Sequence, residues 1–536
     1  MVKRLAVDCI LIVFLFLFSW WLMTKSFGYD PRTSQFRVAR HEVGDFGLHI
    51  GLIRSFAWGE NVPAQSPFFP GAPLVYHYAV DWIAGQLVRA GIRIDYALNG
   101  ISATALTIFL YGLYRLTKLI ARGSRGAGVI SILLFLLPSN LSFIEMVRRA
   151  PKDGSFFSYF WRFPDYIHQG PFDGSMITIY TTLSPYLNQR HLIAGMMIAV
   201  VVLWIMMRWM SGRQHIPDYR WMILGLVVGA ATRVHIVIAL ATGIVAMVFL
   251  IGKRNRALMW FGTAAVLFAL PHLSQILSVK VDSALAQFWN PGYLSSRPLS
   301  AQLWVQFWVQ NLGFIVFLLP LAYRHADDMG RRLMIGAGIL FAIANTMQVS
   351  FRIEHNHTLI NFAVFLVLPG IAHLLVSWWN KRRIAWKIIA VGSSMLLTVS
   401  GLVNLMVVKN DYQATVDDVA RSGFMQWIRT STDPSSIVLS YHALYDPVVL
   451  TGRKNYLGME YYVTVMGYDY WGRRKQIDGW LASFDRDTAT QMKQAGIDYI
   501  AIPVGKKDFP YTVDEKIVQT LLPITYQEET ITVYEL

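Results

Sequence analysis

Asp45 and His49 stand one helical turn apart in the run His41-Glu42-Val-Gly-Asp45-Phe-Gly-Leu-His49. On a helix, a carboxyl and an imidazole at that spacing share one face. The pair suits a general base held by its neighbour, or two ligands of a metal. The same Asp45 could instead stabilise the start of a surface helix through the helix dipole. A second group of residues is cationic: Arg190 with His191, Arg233 with His235, and Arg352 with His355 and His357. Arginine forks hold phosphate oxygens bidentately, so these clusters suit an anionic leaving group. Each could equally cap a helix or snorkel to an interface. Glu354, His355 and His357 are not read as a metal site, because histidines two apart diverge on a helix and no cysteine or tight acidic cluster completes the set.

These residues are embedded in an unusually apolar chain. Of 536 residues 54% are apolar and 15% charged, where a soluble protein carries about 25% charge. Apolar runs of about 18 to 25 residues recur, each long enough as a helix to cross a bilayer core of roughly 30 Å. A soluble enzyme, a disulfide scaffold and a disordered chain are excluded. The net charge of +15 is topological. From Asp411 onward 12 Lys and Arg face 17 Asp and Glu, which leaves 36 against 16 in the apolar part, concentrated in short loops as the positive-inside rule requires. Nothing points to nucleic acid. The single cysteine, Cys9, allows no internal disulfide.

The run 5–23, with Trp20 and Trp21 at its end, reads as a retained anchor with a cytoplasmic N-terminus. Outer loop 1 follows at 24–93. Within it Phe46, Ile50, Ile53 and Phe56 recur at helical spacing and predict an amphipathic helix on the membrane surface. A Pro-rich stretch at 63–73 leads into an apolar piece at 74–88 that contains His77, Tyr78 and Asp81 and reads as a surface or re-entrant helix. Crossings are expected near 94–119, 126–145, 191–210, 221–233, 236–251, 257–274, 303–321, 332–350, 357–379 and 384–407, about eleven with the anchor, with outer loop 2 at 146–190. The break at Ala231-Thr-Arg-Val-His235 separates two runs too short to span fully, so Arg233 and His235 are expected in a protein-lined or wet cavity. The expected division is a transmembrane domain at 1–409 and an extracytoplasmic α/β domain at 410–536. Strands are expected at 436–439, 499–502 and 531–534 and helices at 416–428 and 514–522.

The order of these elements, together with Pro70-Gly-Ala-Pro-Leu-Val-Tyr-His-Tyr78 and Asn188-Gln-Arg-His191, resembles the GT-C superfamily of polytopic membrane glycosyltransferases. That group includes the protein O-mannosyltransferases, the aminoarabinose transferase and uncharacterised prokaryotic members. The resemblance covers the whole chain as architecture and implies a GT-C-like helical membrane protein with a C-terminal soluble α/β domain. It also implies transfer of a hexosyl or pentosyl group from a polyprenyl-phosphate donor to a lipid, glycan or protein acceptor. The transfer would take place on the extracytoplasmic face of a prokaryotic plasma membrane, in the service of the cell envelope. Position by position, the first-loop acid falls on Asp45, with Glu42 as runner-up and His49 beside it. No adjacent Asp-Glu or Asp-Asp pair stands in this loop, unlike the best-known pattern.

Arg190, His191, Arg233, His235, Arg352 and His355 are the candidate phosphate ligands. His77 and Tyr78, with Arg453 and Tyr456 of the tail, are candidates to cover the substrate. Asp153, Asp165 and Asp173, among Trp161, Phe163 and Tyr166, suit stacking on sugar rings or simply a packed loop. No cofactor is indicated; a divalent metal is compatible with this chemistry but not signalled by these residues. The alternatives are a polytopic lipid or polysaccharide transporter, which would tend to show inverted repeats and mid-membrane polar residues, and a lipid-phosphate headgroup transferase.

Overall fold

Apolar runs become helices because a bilayer core leaves no water to satisfy an open backbone. The computed structural model describes residues 2–152, 154–167, 174–212, 216–279, 288–295, 297–350, 352–506 and 508–536. It is mostly helical. Among the described residues seven helices are long and apolar enough to cross a membrane: Ala6–Ser26, Ile94–Ile120, Arg190–Ser211, Thr232–Leu250, Asn255–Ser278, Ile353–Trp379 and Ile384–Asn410. An eighth is reached if Ala301–Leu312 and Ile315–His325, bent by 82°, count as one broken span.

The expected count of about eleven is therefore higher than the structure supports, for a definite reason. Run 126–145 yields a helix of only 12 residues, Arg125–Leu136, which stops two residues before Pro138, and run 221–233 yields Asp218–Ala230, with 13. At 1.5 Å per residue these reach roughly 20 Å, short of a crossing. Run 332–350 forms Asp328–Thr346, whose first turns carry Asp328, Arg331 and Arg332. The 82° bend has a local cause. Gly313 adopts φ +61°, a Cβ there would stand 2.7 Å from the Ser139 carbonyl oxygen, and the following Phe314 N–H donates to Ser139 Oγ.

The chain divides into two compact units. The first comprises Met1–Ser26, Ser102–Pro271 and Gln287–Tyr412. Its hub is His357–Trp379, with 18 of 23 residues buried, packed on Asp328–Thr346, Arg125–Leu136, Ile315–His325 and Ile384–Asn410. A helix apolar on every side is what a central position requires.

The second unit comprises Phe27–Ile101, His272–Ala286 and Gln413–Leu536. Its strands are β1 (Phe27–Asp30), β2 (Gln35–Ala39), β3 (Gln65–Ser66), β4 (Phe69–Pro73), β5 (Gln413–Asp417), β6 (Ile437–Leu439), β7 (Lys454–Asn455), β8 (Tyr499–Pro503), β9 (Ile524–Glu528) and β10 (Ile531–Glu535). A five-stranded sheet runs β7-β6-β8-β10-β9, parallel through β7, β6 and β8 and antiparallel beyond. The β1-β2-β5 sheet joins outer loop 1 to the tail, with Phe36 opposite Val416 and Val38 opposite Ala414. Residues 413–417 were expected to begin the tail or open a helix; they form a strand because their Thr and Val pair with β2. The helix follows instead at Gly423–Ser431.

After α1 (Val2–Ser26), outer loop 1 contributes α2 (Val43–Trp58) and α3 (Ala79–Arg89), and α4 (Ile94–Ile120) follows. Helix α2 is not a surface helix. Twelve of its 16 residues are buried, and glycines allow backbones to meet it on two sides. A Cβ at Gly47 would stand 2.1 Å from the Leu444 carbonyl oxygen and 2.4 Å from the Tyr462 hydroxyl, and one at Gly85 of α3 would stand 2.7 Å from Phe56 Cβ. Overpacking of this kind costs about 1–3 kcal/mol. We expect Gly47→Ala to lower the apparent melting temperature of the purified protein by several degrees. Gly44→Ala, where a Cβ meets nothing within 4 Å, should leave it nearly unchanged. Equal melting of the two variants would contradict this packing.

Candidate functional site

The second unit holds the acids. Glu42 is the N-cap residue of α2 and is buried, whereas Asp45 in the first turn is half-buried. The carboxylate set against His49 comes from α3: Asp81 oxygens lie 3.0 and 3.1 Å from His49 Nδ1, and both side chains are 1% exposed. A carboxylate accepts, so the Nδ1 proton points at Asp81 and the ring is oriented by it. The i, i+4 spacing from Asp45 thus leads to the right helix face, but the imidazole's oriented partner lies 32 residues on.

Asp45 stands instead among phenols. Burial, and then the charges of Asp45 and Asp81, push the Tyr76 hydroxyl well above its ordinary range. Burial followed by Asp45 raises Tyr445, and burial followed by Tyr445 and Asp45 raises Tyr462. These phenols stay protonated and remain donors beside a carboxylate. Two of them also fix the start of α2, since Tyr445 Oη donates to the Val43 carbonyl at 3.0 Å and Tyr462 Oη lies 2.8 Å from the Gly44 carbonyl. Sequence reasoning missed Tyr445, which lies about 400 residues from α2 with no local signal, and marked Tyr462 only as part of a Tyr- and Arg-rich stretch of the tail, 461–474, suited to cover the site or contact the acceptor. Tyr76 lay inside the quoted Tyr-His-Tyr motif but had no role assigned.

The His77 ring lies 4.0 Å from the Tyr76 ring, and Tyr78 packs on Phe56 at 5.9 Å. The two expected cover residues of the tail serve the fold. Arg453 is buried and donates to the Thr432 and Arg429 carbonyls at 2.6 and 2.8 Å, capping the helix Gly423–Ser431. Tyr456 is buried, with Arg473 4.8 Å over its ring and its hydroxyl directed at Gln476. The Pro-rich segment is pinned by the tail: Tyr468 Oη donates to the Pro73 carbonyl at 2.8 Å and Arg473 Nη1 to that of Pro70 at 2.9 Å.

The first unit holds the cations. His191, at the start of Arg190–Ser211, and His235 have ring centroids 5.2 Å apart and are both buried. Gly195 permits this, since a Cβ there would stand 2.9 Å from His235 Cβ. The expected break is at His235, whose backbone is extended, with φ −163° and ψ 104°, inside an otherwise helical stretch. Arg233 is half-buried and donates to the Phe268 carbonyl at 3.3 Å. Arg352 is exposed, His355 Nδ1 lies 2.7 Å from Ser350 Oγ, and His357 stacks on Tyr180 at 4.8 Å. The structure thus brings His191 and His235 together. In outer loop 2, Phe163 and Tyr166 pack with Met406 and Val407, the packed-loop reading; Asp153 and Asp173 lie outside the described residues.

Arg190 is fully buried and reaches the end of α1. Its Nη2 donates to the Met23 carbonyl at 3.1 Å and to Ser26 Oγ at 2.7 Å. Hydrogen bonds from a charged donor contribute about 1.5–3 kcal/mol, and orphan carbonyls at a helix end need donors. We therefore expect Arg190→Gln to destabilise the ligand-free protein in thermal unfolding, with Arg190→Lys recovering part of the loss. A purely ligand-binding Arg190 would leave ligand-free melting unchanged.

Residues 4–166 match the model of a family described as "Uncharacterized membrane protein (DUF2298)". A comparison with curated protein sequences finds no match. Among solved structures, ArnT from Cupriavidus metallidurans in the apo state superposes with a TM-score of 0.51 at 10% identity, over 99% of this chain and 98% of that one. The arabinofuranosyltransferase AftD from Mycobacteria gives 0.54 at 12% identity, over 98% of this chain and 39% of that one. Both are GT-C glycosyltransferases. The chain therefore has the GT-C fold that its sequence resembles.

Proposed function

We propose that this protein is an integral membrane glycosyltransferase that moves a sugar from a polyprenyl-phosphate carrier to an acceptor hydroxyl on the extracytoplasmic face. The observation that carries the reading is the likeness to ArnT along the full length of both chains, supported by a second neighbour named as an arabinofuranosyltransferase. On this reading the extracytoplasmic portion is the tail, 410–536, together with outer loop 1.

The reaction is a single displacement. Asp45 takes the acceptor hydroxyl proton, the acceptor oxygen bonds to the anomeric carbon, and the bond from that carbon to the phosphate oxygen breaks, releasing polyprenyl phosphate. Asp45 is preferred to Glu42 because it is half-buried and open to an acceptor, whereas Glu42 is 3% exposed. His49, oriented by Asp81, and the protonated phenols of Tyr76, Tyr445 and Tyr462 hold the acid's surroundings. Charge developing on the leaving phosphate is stabilised by donors fixed in advance, the roles proposed for His191, His235, Arg233, Arg352 and His355. Arg190 contributes by holding its helix against α1.

The test is transfer by the purified protein from radiolabelled polyprenyl-phosphate sugars, followed as release of the free carrier phosphate. Loss of a general base slows such a step by about 10²- to 10⁴-fold. Asp45→Asn should show that loss while melting and donor binding stay as in wild type. Turnover near wild type in a folded Asp45→Asn protein would exclude Asp45 as the base and make Glu42 the residue to replace. Release of carrier phosphate from no donor would overturn the activity itself.

A further inference from the structure

A cavity of about 780 Å³ opens within the second unit, and the acids described above do not line it. Its wall includes Tyr29, Arg54, Trp58, Arg93, Asp418 and Arg429. Trp58 is held between two guanidiniums: the Cζ atoms of Arg54 and Arg429 each lie 3.4 Å from its ring centroid. Two cations that close to one ring must occupy opposite faces. Arg54 is buried and paired, its Nη2 2.9 Å from Asp418 Oδ2, while its Nε finds no hydrogen-bond partner among the described residues. Arg93 is also paired, donating to both Asp95 oxygens at 2.6 and 2.8 Å.

Arg429 is different. Its side chain is exposed and, among the described residues, no ion pair holds it. Stacking on Trp58 fixes the plane of its fork with its donors available. Of the three guanidiniums in the lining, Arg54 is paired with Asp418 and Arg93 with Asp95, which leaves Arg429 to share the field of Asp418 without a carboxylate of its own. Such an arrangement selects an anion with several acceptor oxygens.

The wall also has a position along the chain. Tyr29 follows closely on Ser26, the last residue of α1, and residues 92–94 lead into α4; both helices are long and apolar enough to cross a membrane. Segments at the ends of crossing helices lie at the depth of lipid headgroups, where Tyr, Trp and Arg concentrate.

We infer that this cavity binds a phosphate-bearing anion, presented by a membrane phospholipid headgroup, with Arg429, stacked on Trp58 together with Arg54, as its principal contact. This is a second site, independent of the proposed transfer reaction.

Delipidated full-length protein in neutral detergent should be titrated separately with phosphatidylglycerol and with inorganic phosphate, and binding followed by native mass spectrometry. The expected result is one phosphatidylglycerol per chain, bound at least tenfold more weakly by Arg429→Gln, with millimolar inorganic phosphate failing to displace it. Displacement by inorganic phosphate, with the same loss in Arg429→Gln, would support the phosphate site but overturn the lipid as its source. Binding of phosphatidylglycerol to Arg429→Gln as tightly as to wild type, or binding of neither probe to wild type, would overturn the site. Should the Gln variant melt well below wild type, Arg429→Lys carries the test, because it keeps charge and stem but loses the fork. Severalfold weaker binding supports the inference and unchanged binding contradicts it.

Discussion

The antiparallel pairing of β2 with β5 is the constraint on which the second unit rests. It joins Gln35 to Asp417 across 382 positions of chain, and it delivers Asp418 to Arg54 of α2. Both side chains of that pair are nearly inaccessible, and burial pulls the Arg54 guanidinium down to about 10 while Asp418 opposes the shift. A buried pair is weak evidence for net stability, but removing one partner strands the other charge at a cost of about 3–5 kcal/mol. The pair therefore specifies which segments meet. Closing so long a loop is not prohibitive, since the entropy cost grows only logarithmically with length.

Once the tail is fastened there, the geometry around the acids follows. The tail supplies the Leu444 carbonyl and Tyr462 hydroxyl that close on Gly47, two of the three phenols beside Asp45, and the Tyr468 and Arg473 donors that pin the Pro-rich segment. Helix α2 is thus gripped by the tail on one side and by α3 on the other. A carboxylate in the first turn of a helix so held is placed by a packed framework and not by a mobile loop, which is the condition preorganised proton transfer requires. The same packing explains why α2 is buried although its apolar spacing suggested a surface helix: glycine at 47 admits the Leu444 backbone and glycine at 51 the side chains of Val449 and Phe68.

How much of this was legible in the sequence depended on the range of the interaction that decides it. Long apolar runs specify helices by themselves, so Arg190–Ser211, Ile353–Trp379 and Ile384–Asn410 fall close to the expected bounds, and the break before His235 could be read from two short runs. The strands at 437–439, 499–503 and 531–535 were marked by short runs rich in β-branched and aromatic residues. What could not be read were choices made by distant partners: that residues 413–417 would join outer loop 1, that His49 would meet Asp81, and that Arg453 would spend its donors on a helix end. Asp45 was marked by its place in the chain, whereas the phenols around it were placed by tertiary structure alone. The surplus of apolar runs over crossing helices has a local origin instead, in the shortness of Arg125–Leu136 and Asp218–Ala230 and the charges that open Asp328–Thr346; only the bend in the pair 301–325, where Gly313 meets Ser139, depends on a distant partner.

The claim that outer loop 1 and the tail fold as one unit around β2 and β5 can be measured directly. With the lone Cys9 replaced by Ser, Arg37→Cys combined with Thr415→Cys sets two thiols at facing positions on exposed stretches of the two strands. Mild oxidation followed by proteolysis between the segments should then leave them covalently joined. The off-register combination of Arg37→Cys with Asp417→Cys should link far less. Equal linking in the two combinations, or none in the first, would contradict the pairing and with it the placement of Asp45.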